Sequence, residues 1–183
     1  MTKKLFIVVI LLFPATLFAD PSIPDGFILQ VLEPTGGRII RPADWYYTES
    51  HRGPSYTWIL SKEDASKAPY DTGVRIQTLV GVEKGTGKSP KEFVLDFYEH
   101  KKNAVQKIYK KCNPQDQGLF TRICLEVDEG NYHILYSLFW GNRIDIVTIS
   151  IAGTRRENWV NYESTFNQMS SFELIDMNRF EAE

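Results

Sequence analysis

The chain has 183 residues, 43% hydrophobic and 24% charged. That balance excludes a disordered or low-complexity chain, and the length admits one ordinary domain. With 21 basic against 23 acidic residues the net charge is −2, which argues against a nucleic-acid binder and its usual basic excess.

Met1-Thr2-Lys3-Lys4 is a short basic start. Leu5 to Phe13 is an unbroken apolar run, and Ala15-Thr16-Leu17-Phe18-Ala19 follows Pro14. Basic start, apolar core and small end in this order predict a secretory signal peptide over residues 1–19, cut after Ala19. The run is shorter than the about 20 residues that span a bilayer. No cysteine lies near the cut, which speaks against a lipid anchor. The rest, 20–183, reads as a single α+β domain with its core over about 28–175 and no later membrane-spanning segment. The expected location is a bacterial periplasm or the exterior. The two cysteines, Cys112 and Cys124, then predict one structural disulfide, with two buried free thiols as the alternative. A loop of about a dozen residues limits its contribution to at most about 3 kcal/mol.

Ile28 to Leu32 and Gly37 to Arg41 are short β-like runs around the turn Glu33-Pro34-Thr35-Gly36. Trp45-Tyr46-Tyr47 follows, then the polar stretch Thr48 to Ser55, which reads as a loop, then the aromatic run Tyr56 to Leu60. Gly73 to Val82 alternates: Val74, Ile76, Thr78, Val80 and Val82 share one face, the mark of a half-buried strand. Ser89-Pro90-Lys91-Glu92 is a capping box with Pro at the first helical position. The apolar stripe from Phe93 to Tyr109 extends the expected helix to Lys111, with Lys107, Lys110 and Lys111 in its last turn and Cys112-Asn113-Pro114 ending it.

Leu119 to Asp128, Tyr132 to Trp140 and Arg143 to Ile151 read as a three-stranded antiparallel meander with short links. Its middle strand is apolar on both faces, as expected of a strand covered on both sides. Thr154-Arg155-Arg156-Glu157 resembles a second capping box, and Trp159, Tyr162, Phe166 and Met169 form a helical stripe. Phe172 to Ile175 is expected to return as a short edge strand. The predicted class is α+β: an antiparallel sheet with a C-terminal meander and two main helices packed on it. A disulfide would staple the end of the first helix to the first meander strand.

Ile39-Ile40-Arg41-Pro42-Ala43-Asp44-Trp45 resembles the opening of PsbP-like domains: an apolar strand, Pro, a turn and Trp. Those domains also carry a capped helix in mid-chain, a three-stranded meander and a C-terminal helix, so the resemblance covers about 28–175. It implies an α/β/α sandwich and a binding or assembly role rather than an enzyme. The superfamily has no shared catalytic motif, so no site residue is carried over. The chain departs from the envelope lipoproteins of that group in lacking a lipidated cysteine.

Catalytic patterns are sparse. Gly87-Lys88-Ser89 has the end of a phosphate loop, but Val82 stands where its first glycine is required. The segment reads as a flexible turn before the helix. His51, His100 and His133 have no metal-ligand spacing and read as surface or strand-filling residues. No metal and no cofactor is expected. Glu126 and Asp128 share one strand face, about 7 Å apart; they read as a solvated strand end, with acid–base catalysis as the alternative. Lys91, Lys101, Lys102, Lys107, Lys110 and Lys111 are interrupted by Glu92, Asp96 and Glu99 and read as a solvated face.

The remaining candidates are aromatic. Trp45, Tyr46, Tyr47, Tyr56 and Trp58 flank His51 and Arg52. Tyr, Trp and Arg are enriched at interaction hot spots, so these seven residues are the candidate binding set; a small second core is the alternative. The expected function is that of an exported, non-enzymatic protein binding a protein partner in the cell envelope, as adaptor, assembly factor or toxin-neutralising partner. The alternatives are a secreted hydrolase using Glu126 and Asp128, and a small-molecule carrier with a pocket between sheet and helix.

Overall fold

A computed structural model describes residues 23–176; the signal-peptide reading of 1–19 lies outside the described residues. The strands are β1 (Phe27–Leu32), β2 (Gly36–Pro42), β3 (Tyr46–Arg52), β4 (Ser55–Ser61), β5 (Gly73–Val80), β6 (Lys107–Asp116), β7 (Phe120–Glu129), β8 (Tyr132–Gly141), β9 (Ile146–Arg155) and β10 (Glu173–Ile175). The helices are α1 (Val82–Thr86), α2 (Pro90–Ala104) and α3 (Trp159–Met169). The class is α+β with antiparallel sheets. A seven-stranded sheet runs β3-β4-β5-β9-β8-β7-β6, and a three-stranded sheet runs β1-β2-β10.

Each face of the large sheet has its own core. On one side α2 packs over β8 and β9, and Val94 and Tyr98 meet Ile123, Leu125, Val127, Tyr136, Leu138, Val147 and Ile149. On the other side lie α3 and the small sheet, where Phe166, Met169, Leu32 and Ile39 meet Trp58, Leu60, Val74 and Ile76. Full burial of a side chain such as Phe166, 1% exposed, contributes about 2 kcal/mol. The middle strand β8 is accordingly buried on both faces over most of its length. Gly37 lets β10 close on β2: a Cβ there would lie 2.5 Å from the Leu174 carbonyl oxygen. The Ser89 cap forms as expected, with Ser89 Oγ accepting from Glu92 N and the Glu92 carboxylate accepting from Ser89 N.

Several boundaries differ from expectation. α2 stops at Ala104, and Lys107 to Asp116 is a strand, so Lys107, Lys110 and Lys111 lie on β6 rather than in a last helical turn. Cys112 therefore does not end a helix. It pairs directly with Cys124 across β6 and β7 at a Cα–Cα distance of 4.9 Å, and the two form a disulfide. The stretch Thr48 to Ser55 is not a loop: β3 runs through it and turns at Gly53-Pro54 into β4. Gly53, at φ +55°, supplies the left-handed residue of that turn. The turn ahead of α2 contains α1, bounded by left-handed Gly81 and Gly87. Thr154 caps no helix; it is fully buried on β9, with its hydroxyl 2.8 Å from that of Thr72, and α3 begins after a short 3-10 turn at Arg156–Asn158.

Candidate functional site

Strand register sorts the seven aromatic-region candidates onto different surfaces. Across β3, β4 and β5 the rows are Thr48–Ile59–Arg75, Ser50–Thr57–Gln77 and Arg52–Ser55–Leu79 on one face, and Tyr47–Leu60–Val74, Glu49–Trp58–Ile76 and His51–Tyr56–Thr78 on the other. Successive residues alternate faces, so Tyr46 and Arg52 share the first face. Tyr47, His51, Tyr56 and Trp58 share the second.

The inner face is an aromatic ladder rooted in the core. Trp58 is 1% exposed and its Nε1 donates to the Glu33 carbonyl at 2.8 Å. Tyr56 stacks on it at 6.4 Å between centroids, and the His51 ring lies 5.4 Å from Tyr56 and 5.9 Å from Trp58. Tyr47 Oη donates to Glu49 Oε2 at 2.6 Å. Burial, then the Glu49 carboxylate, pushes its phenol well above the ordinary tyrosine range. Trp45 belongs elsewhere: it is buried against Phe166 and Tyr162 of α3, at 6.1 and 6.3 Å. Trp45 and Trp58 are thus core residues and present no surface to a partner. They belong to the main core between the large sheet, α3 and the small sheet.

The outer face is open. Tyr46, Ser50, Arg52 and Arg75 are exposed there, while α2 lies over β8 and β9. Neither Arg52 nor Arg75 has a carboxylate partner among the described residues; Arg75 donates to Gln77 Oε1 at 3.1 Å. The surface offers two guanidiniums and a tyrosine, a set suited to a polar, acid-bearing protein surface.

Glu126 and Asp128 are not a solvated strand end. They face His133, which β8 inserts between them. His133 Nε2 lies 3.0 Å from Glu126 Oε1 and Nδ1 lies 3.0 Å from Asp128 Oδ1. Asp128 and His133 are each 5% exposed. The ring is flanked by Trp159 at 4.0 Å and Tyr109 at 4.5 Å. Tyr109 Oη donates to Asp128 Oδ2 at 2.8 Å, and Arg156 stands 3.9 Å from the same oxygen. Ionised carboxylates only accept, so both ring contacts are hydrogen bonds when the ring is an imidazolium or one carboxyl carries a proton. This arrangement ties β6, β7, β8 and the start of α3 together, and both carboxylates are committed to it.

The crevice between the sheet and α3, lined by Val74, Leu135, Phe166 and Met169, has no room for a water molecule, and so none for a carried ligand. An open cleft of about 630 Å³ lies at the start of α2, lined by Glu83, Ser89, Lys91, Trp140, Asn142 and Asp145 among others; Asp145 Oδ1 there accepts from Glu83 N. No group of three or more His, Cys, Asp or Glu able to hold a metal ion occurs among the described residues. No helix among them is long and apolar enough to cross a membrane.

No family model matches the chain, and no curated protein matches it in sequence. Among solved structures the chain is similar to the solution structure of cyanobacterial PsbP from Synechocystis sp. PCC 6803, at 14% identity and a TM-score of 0.48, over 86% of this chain and 98% of that one.

Proposed function

We propose that this chain is an exported, non-enzymatic member of the PsbP-like superfamily that binds another protein of the cell envelope, and that the outer face of β3-β4-β5 is its docking surface. The observation that carries the reading is the pairing of exposed Arg52 and Arg75, both without carboxylate partners among the described residues, with exposed Tyr46 on one side of a rigid sheet. A surface held by strands docks with little ordering cost. The core-buried Trp45 and Trp58 fix the ribbon that presents it. Export is supported by the basic-apolar-small order of residues 1–19 and by the Cys112–Cys124 disulfide, which suits an oxidising compartment. The partner carries carboxylates opposite the two arginines. A crosslinked pull-down from periplasmic extract checks this. The wild-type chain retains a specific partner that the Arg52→Glu, Arg75→Glu double variant loses. Recovery of no partner, with and without crosslinker, contradicts it.

A further inference from the structure

The large sheet has two edges, and they are built differently. β6 is guarded: it carries Lys107, Lys110 and Lys111, has Pro114 without an N–H, and shifts register twice against β7, between Ile108 and Lys110 and between Cys112 and Gln115. Lysines, proline and bulges are the usual protections of a strand edge. β3 has none of them. It pairs with β4 in unbroken register from Tyr46 to Arg52, contains no lysine or proline, and is exposed from Glu49 to Arg52. β3 ends the strand order of the large sheet, and among the described residues no other backbone pairs with its outer row of donors and acceptors, a row that can template another strand.

We propose that β3 pairs antiparallel with β3 of a second copy of this chain, about a two-fold axis through Ser50, joining two seven-stranded sheets into one. This goes beyond the docking face proposed above, because the pairing runs along the backbone edge of the sheet; of the three docking groups it engages only Arg52.

The sequence of β3 argues for the second copy. In a two-fold antiparallel pair the axis passes through one residue, and positions equally far on either side face each other on the same side of the sheet. An axis through Ser50 sets Glu49 against His51 of the other copy, twice, and Thr48 against Arg52, twice. An acid opposite an imidazole N–H, and a hydroxyl opposite a guanidinium, are both hydrogen-bonding pairs. An axis through Glu49 would place like charges face to face, and an axis through His51 would place the imidazole against itself. The Ser50 register is therefore self-complementary, and Glu49 and His51 are both exposed to make the contact.

Sedimentation of the purified mature chain over a wide concentration range tests this. The wild type is expected to double its mass reversibly. Glu49→His alone and His51→Glu alone each set like groups opposite one another and weaken the dimer at least about tenfold, roughly 1.4 kcal/mol. The reciprocal Glu49→His, His51→Glu double variant recreates the same two pairs and restores the dimer. A wild type that stays monomeric at every concentration overturns the proposal, as does a dimer indifferent to both single variants or a double variant that stays weakened. Retention of the envelope partner by a monomeric wild type would separate failure of this inference from failure of the docking face. Circular dichroism of each variant confirms that the fold is kept.

Discussion

His133 on β8 stands directly opposite Asp128 on β7, with Nδ1 3.0 Å from Oδ1, and the same ring reaches Glu126 with its other nitrogen. One imidazole thus bridges two carboxylates that stand side by side on one face of β7, with Trp159 against the ring.

Removing the ring leaves two poorly hydrated carboxylates without their shared donor. His133→Ala is expected to lower stability by about 2–4 kcal/mol. Adding Glu126→Gln and Asp128→Asn is expected to recover part of that loss, because the uncompensated charges go. Urea unfolding of the three proteins measures both steps. A His133→Ala protein as stable as the parent would show that the bridge holds nothing together.

The share of this structure that was legible in the sequence follows from how regular each element is. Gly73 to Val80 alternates without interruption and Ser89 to Glu92 holds a complete capping box, so both were readable from local pattern. β6 was not: two register shifts break its period, and Val105, Ile108 and Tyr109 fall at helical spacing by coincidence. β3 looked like a loop because an edge strand is wet on both faces and keeps no apolar alternation. The Glu126–His133–Asp128 bridge was half visible. Alternation along β7 sets both carboxylates on one face, but the histidine comes from the neighbouring strand. The two-residue turn at Gly130-Asn131 carries the missing signal, since it pairs Glu129 with Tyr132 and hence Asp128 with His133. Of the aromatic candidates, the sequence could not assign faces while β3 was read as a loop, so buried Trp58 and exposed Arg52 looked alike.

A second polar group on the α2 side sets a pH window. Burial alone would raise the Glu129 carboxyl, but Lys101 and the Tyr136 hydroxyl together hold it below its ordinary value of 4.5. Burial, then Glu129, raises the Tyr136 phenol far above 10.0. The lowered acid contributes stability above pH 4.5 that is lost as pH falls. The raised phenol contributes stability below pH 10 that is lost as pH rises. Unfolding free energy is therefore expected to lose this network's contribution below about pH 4.5 and above about pH 10. In Tyr136→Phe the alkaline fall is shallower. An unchanged alkaline limb in that variant would contradict the assignment.

The disulfide and the proposed leader make linked predictions. Thiol titration of the denatured, unreduced protein from its native compartment is expected to find no free sulfhydryl; two would refute the bridge. The Cys112→Ser, Cys124→Ser variant is expected to lose at most about 3 kcal/mol, as for a short closed loop. The mature chain is expected to begin at Asp20. A native protein that begins at Met1 in the cytosol contradicts export.

The outer face of β3-β4-β5 is tested most directly by a photo-crosslinking amino acid placed at Thr57, in the middle of that face, against the same probe at Glu99 on the exposed side of α2. In living cells the Thr57 probe is expected to give one discrete adduct with another envelope protein, abolished by Arg52→Glu together with Arg75→Glu, while the Glu99 probe gives none. No adduct from Thr57, or the same adducts from both positions, would contradict the docking surface.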